Sequence, residues 1–239
     1  MDKTFWGIIL EEFKKVHFTN LFLCVCLVIT IVLGIKYFRN TKLHIYFLCY
    51  AIVGLVPFVI FSFVGFYISH LILRQTFYEV INLIFCLVEL YAFYYFFSKI
   101  LKNRRVKSFL KNAIWAYLVL VLIFFACIFM GLLSIYHIQY ISYQVNVLEL
   151  FGLLFCCLVY FYELLLADGG YEKTIEWGPS FRIVTGLFLY CILSLPFFLI
   201  ARNLMEFNLE FFHFMYSIHY VSITFLFLWI AKGFYARQF

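Results

Sequence analysis

Apolar residues come in seven long runs along this chain, separated by short polar breaks. A helix that crosses the hydrocarbon core of a bilayer needs about 20 mostly apolar residues. The runs predict such spans at 20–38, 43–68, 77–98, 113–135, 143–166, 180–201 and 211–233. No strand-type alternation interrupts them. The predicted fold class is all-α, a polytopic membrane protein whose residues 20–239 form a seven-transmembrane helix bundle. The connections between the runs are too short for a soluble domain.

Ahead of the first run, Trp6, Ile9, Leu10, Phe13 and Val16 recur at helical spacing, opposite Glu11, Glu12, Lys14 and Lys15. This pattern predicts an amphipathic interfacial helix within residues 1–19. An extension of the first span fits the same residues equally well. Mixed charge, and no small-residue cleavage site after the first span, argue against a secretory signal peptide. In the long connection at 167–179, Asp168-Gly169-Gly170 should end the fifth helix and Gly178-Pro179-Ser180 should open the sixth. Pro57 and Pro196 fall inside the second and sixth helices, where each removes a backbone donor and predicts a kink that can serve as a hinge. The two prolines also suggest a parallel repeat, helices one to three onto five to seven with the fourth as a linker. Beyond Leu-Val-Pro-Phe against Ser-Leu-Pro-Phe, however, the halves match poorly.

Composition agrees with the pattern: 67% of residues are hydrophobic and 13% charged, against roughly 45–50% and 25% in soluble domains. All eight cysteines fall inside the spans, where a thiol packs as a small apolar group. No disulfide framework is implied, and with no Cys-x-x-Cys or Cys/His pair in a loop no structural metal is expected. The charge gives direction. Lys99, Lys102, Arg104, Arg105, Lys107 and Lys111 form the one dense basic block, between the third and fourth spans. Short basic loops resist translocation. Placing the amino terminus outside and the carboxyl terminus in the cytoplasm puts thirteen of the 18 lysines and arginines inside. The net charge of +6 is therefore read as a topology signal rather than a nucleic-acid footprint. Anionic lipid attraction at about 1 kcal/mol per near-surface cation explains the block without a protein partner.

Ionisable groups within a span cost about 2.5–3.5 kcal/mol on insertion scales, so each demands an explanation. Glu89 lies near the middle of the third helix, with Asn82 on the same face and Glu79 nearer the mouth. A carboxyl at that depth needs a partner, a water or a proton. The fifth helix carries Asn146 and Glu149, and the seventh carries His213, Tyr216, His219 and Tyr220. In the predicted orientation these groups fall mostly in the outer half of three odd-numbered helices, as a ligand pocket would. The same residue types also tie helices together by hydrogen bonds.

Enzyme chemistry finds little support. His213 and His219 are six apart, about 240° around a helix, an awkward spacing for joint metal ligation. No Gly-x-Ser-x-Gly elbow, Walker motif or dinucleotide glycine motif occurs. A retinal Schiff base would need a lysine within the seventh helix, and Lys232 lies at its end. No cofactor is expected. The aromatic run Tyr91 to Phe97 beside Lys99 reads as an interfacial anchor.

Three segments carry a resemblance: Asn82 to Phe97 with its basic exit, Pro179-Ser-Phe-Arg-Ile-Val-Thr-Gly186, and Tyr216-Ser-Ile-His219. Together they resemble poorly characterised bacterial seven-helix membrane proteins, similar to the seven-transmembrane input modules of sensor histidine kinases. The resemblance implies a sensory or receptor-like role in the bacterial inner membrane. A small ligand or lipid would bind in the outer half, and a separate signalling protein or membrane complex would carry the output, since no kinase or cyclase sequence follows. The alternatives are a small-solute or proton-coupled transporter, with Glu89 titrating and the prolines as hinges, and a non-catalytic subunit of a larger complex.

Overall fold

The structure is a computed structural model that describes residues 18–39, 41–67, 71–167, 179–207 and 209–235. Seven helices account for nearly all of these: α1 (Phe18–Lys36), α2 (Lys42–Tyr67), α3 (Leu71–Ile100), α4 (Arg104–Phe129), α5 (Ile135–Ala167), α6 (Pro179–Phe207) and α7 (Leu209–Tyr235). No strand occurs among the described residues. The protein is thus an all-α bundle, with five helices, α3 to α7, long and apolar enough to cross a membrane. The apolar stretches Leu21–Lys36 of α1 and Lys42–Val56 of α2 are shorter. The interfacial helix expected before residue 18 and the connection at 168–178 lie outside the described residues.

Sequence neighbours pack antiparallel. Gly34 of α1 meets Leu48 of α2 while Gly54 of α2 meets Leu27 of α1. Tyr46 meets Tyr95 and Gly54 meets Phe85 across α2 and α3. Tyr143 meets Phe198, and Phe161 meets Phe181, across α5 and α6. Two further contacts join parallel helices. Cys86 of α3 bonds Asn146 of α5, and Glu163 of α5 bonds the chain just past the end of α3. Thr30 of α1 bonds the Phe227 carbonyl of α7, with Tyr37 against Tyr235 farther along the same pair.

These contacts close a ring in the order α1, α2, α3, α5, α6, α7, and α4 stands outside it against α3. The main core gathers Leu27, Phe47, Tyr50, Phe93, Phe97, Leu187, Leu226 and Phe234 within the ring. A smaller core of Leu83, Tyr117, Val121, Phe124, Ile138 and Val145 fixes α4 to α3 and α5. Gly186 allows α6 to approach α7 closely, since a Cβ there would stand 2.7 Å from Cδ1 of Trp229. Both Pro57 and Pro196 are taken up within continuous helices.

Helix α4 departs from its predicted bounds of 113–135. Asn103 caps it, the side chain accepting the amides of Arg105 at 2.9 Å and Val106 at 3.4 Å. An amino-terminal cap satisfies donors that the first turn leaves free, so the basic residues Arg104, Arg105, Lys107 and Lys111 lie on the helix and not in a loop. At the other end Gly131, with φ of 67°, turns the chain soon after Phe129. Long basic side chains can reach water from an apolar helix end, which is why excluding them from the span placed its start too late.

Candidate functional site

The α3/α5 pair carries a row of polar rungs at nearly constant register. Glu79, Asn82, Cys86 and Glu89 recur at three- and four-residue spacing and so share one face of α3; Ser142, Asn146 and Glu149 do the same on α5. Ser142 lies beside the Glu79 carboxyl without closing a hydrogen bond to it. The Cys86 thiol donates to Oδ1 of Asn146 at 2.8 Å. Glu89 and Glu149 come close enough to interact electrostatically. At the basic end, both carboxylate oxygens of Glu163 accept backbone amides, from Lys102 at 2.7 Å and Asn103 at 2.8 Å. Glu163 thus serves as a staple for the α3–α4 corner.

The deepest rung is the most polar. Glu89 is 1% exposed and Glu149 3% exposed. Tyr50 of α2 donates to Oε1 of Glu89 at 2.9 Å. Tyr117 of α4 makes a long 3.5 Å contact with Oε2 of Glu149, whose Oε1 has no hydrogen-bond partner. Tyr190 of α6 lies within electrostatic range of both carboxyls. Five helices therefore contribute to one buried layer. The groups that act electrostatically on Glu149 are Glu89, Cys86 and Tyr117, none of them a cation. Burying carboxyls without a cation is costly unless hydrogen bonds or protons compensate.

A second network joins α6 to α7. Nδ1 of His219 is 2.8 Å from Oγ of Ser194, which is 3.3 Å from Oγ of Ser222; the Ser222 hydroxyl also donates to the His219 carbonyl at 2.7 Å. Tyr216 donates to Tyr220 at 2.6 Å. The His219 ring stacks on Phe197 and stands edge-on to Phe198. Tyr190 connects the two networks, its ring 5.8 Å from that of His219. Tyr143 makes a second bridge, packing on Phe198 within electrostatic range of Glu79 and Tyr216.

The residues singled out in the sequence are thus divided. Glu79, Glu89, Asn146 and Glu149 meet along the α3/α5 seam, with Asn82 half-buried on the same face of α3. Tyr216, His219 and Tyr220 belong to the α6/α7 network. His213 is exposed near the start of α7. Lys99, Lys102, Arg104, Arg105 and Lys111 are exposed and Lys107 half-buried at the α3–α4 corner. Sequence reasoning missed Tyr50, Cys86, Tyr117, Ser142, Tyr190 and Ser194. Cys86 and Ser142 could have been found, since each stands three or four residues from an acidic or amide group on its own helix face.

No family model, curated protein or solved structure matches this chain. The functional reading therefore rests on the polar networks alone. Among the described residues no group of three His, Cys, Asp or Glu side chains is placed to hold a metal ion.

Proposed function

We propose that this chain is a receptor-like, non-catalytic membrane protein in which a small ligand biases the arrangement of the helices and a separate protein receives the result. The observation that carries this reading is the layer at Glu89 and Glu149, to which α2, α3, α4, α5 and α6 all contribute. A rearrangement there is felt by five helices at once, as a two-state bundle requires. The His219 network, reached through Tyr190, lies on the path from the other side of the bundle. The resemblance to sensor input modules belongs to the same proposal, as do an external amino terminus, the bacterial inner membrane and the basic corner as the face toward the partner. The test compares Glu89→Gln and His219→Ala with wild type by proximity labelling of cytoplasmic neighbours. Both variants should insert normally and change the set or extent of labelled proteins; an unchanged pattern in both removes the polar layer from the model.

A second reading, a proton-coupled transporter, is favoured by the ring itself. Two helix triplets, α1 to α3 and α5 to α7, meet at two parallel seams, and three buried carboxyls line one of them. Carboxyls inside a bundle serve as proton relays in transporters. Proton flux in proteoliposomes under an imposed pH gradient, abolished by Glu89→Gln, would place the transporter ahead of the receptor.

A further inference from the structure

A cleft of about 300 Å³ lies outside the ring, between α4 and the α3/α5 pair. Tyr94 and Phe97 of α3, Leu110 and Ile114 of α4, and Gly152 and Phe155 of α5 line it. The rim is exposed at Phe109 and Phe155, whose rings stand 6.0 Å apart, so the cleft opens sideways toward lipid. A Cβ added to Gly152 would meet nothing within 4 Å, which makes this glycine part of the opening. Tyr117 and Glu149 lie at one end, Glu149 with the buried oxygen that has no partner.

The other end is cationic. Lys107, Leu110, Ile114 and Tyr117 follow one another at three- and four-residue spacing, so they form one stripe along α4 that runs from the basic corner through the cleft. At 1.5 Å per residue the stripe is about 15 Å long, half of a hydrocarbon core about 30 Å thick. The cleft is therefore about one leaflet deep. Charge gives it a direction, because a phosphate is attracted by the cations at the corner, whereas the other end is lined by a buried carboxyl and a tyrosine.

We propose that this cleft binds one acyl chain of an anionic phospholipid, with the phosphate held among Arg104, Arg105, Lys107 and Lys111 and the chain running toward Glu149. The cleft abuts the layer around Glu89 at Tyr117 and Glu149, and the proposal stands whether the bundle senses or transports. Each near-surface cation contributes a factor of about five in affinity for an anionic headgroup.

The test uses the full chain, delipidated in detergent and titrated with phosphatidylglycerol or phosphatidylcholine, with bound lipid counted by native mass spectrometry. One phosphatidylglycerol per chain should be retained, at least about fivefold more tightly than phosphatidylcholine. Gly152→Leu and Ala113→Leu fill the cleft from opposite walls and should each abolish the one-lipid species. Lys107→Gln with Lys111→Gln removes two of the four cations and should lower the preference for phosphatidylglycerol by at least about fivefold. Equal binding of the two lipids by wild type would overturn the proposal. So would wild-type retention in both filled variants, since the lipid would then be part of the unspecific annulus. If neither filled variant folds, the charge variant decides: an undiminished preference for phosphatidylglycerol would also overturn it.

Discussion

Tyr50 and Glu89 show what a single polar contact does in this setting. The tyrosine is fully buried and donates to a carboxyl that is almost as deeply buried. Hydrogen bonds between membrane helices average about 0.6 kcal/mol in double-mutant cycles, and reach about 1.7. Leaving a buried donor without an acceptor costs more, about 1–3 kcal/mol. Glu89→Gln keeps a carbonyl acceptor and should lower thermal stability in detergent only slightly. Glu89→Leu strands the Tyr50 hydroxyl and should destabilise by about 1–3 kcal/mol. Adding Tyr50→Phe to Glu89→Leu should then recover part of the loss, because both halves of the pair are gone. Strictly additive losses would mean that the contact does not form. The sequence marks Glu89, Asn146 and Glu149 because acidic and amide groups are conspicuous in an apolar run. It does not mark Tyr50, Tyr117 or Tyr190, since tyrosine serves equally as an interfacial anchor or a packing residue and only the fold distinguishes these uses.

Helix α4 is held differently from the other six. It stands outside the ring, and only Leu110, Tyr117, Val121 and Phe124 are buried along it. Its start is correspondingly dependent on local bonds, the Asn103 cap on α4 itself and the Glu163 carboxylate from α5. Asn103→Ala should cost about 0.5–2 kcal/mol. Glu163→Ala removes the acceptor of two amides at once and should be at least as damaging. Hydrogen exchange should rise across the first turn of α4 in both variants while the α6/α7 pair stays protected. A uniform rise over all helices would instead show that the corner is needed for the whole fold. Element boundaries were legible where apolar runs met turn residues, as at both ends of α2 and α7 and the start of α6. They were not legible at the starts of α3, α4 and α5 or the end of α6, where polar or charged residues continue the helix.

The ring order is the feature that the chain conceals most completely. In a bilayer the lipid-facing and the packed sides of a helix are both apolar, so hydrophobic periodicity does not say which helices touch. Seven helices follow directly from run lengths, whereas the exclusion of α4 from the ring follows only from the contacts between helices. Polar spacing gave a partial clue, because Glu79, Cys86 and Glu89 on α3 and Ser142, Asn146 and Glu149 on α5 each define an inward face. Cross-linking can test the arrangement at both seams in a background whose other cysteines are replaced. Cys86 with Asn146→Cys joins α3 to α5, where the present side chains are 2.8 Å apart. Tyr37→Cys with Tyr235→Cys joins α1 to α7, where the rings lie 5.6 Å apart. Both pairs should form disulfides on mild oxidation of membranes, since neighbouring side chains can bring two sulfurs together without moving the backbone far. A pairing of Phe155→Cys with Tyr37→Cys, on helices that are not neighbours in the ring, should not. Failure of the α3–α5 pair would place another helix between them and dismantle the seam on which the buried carboxyls sit. Success at both seams would establish that two triplets meet face to face around the Glu89 layer.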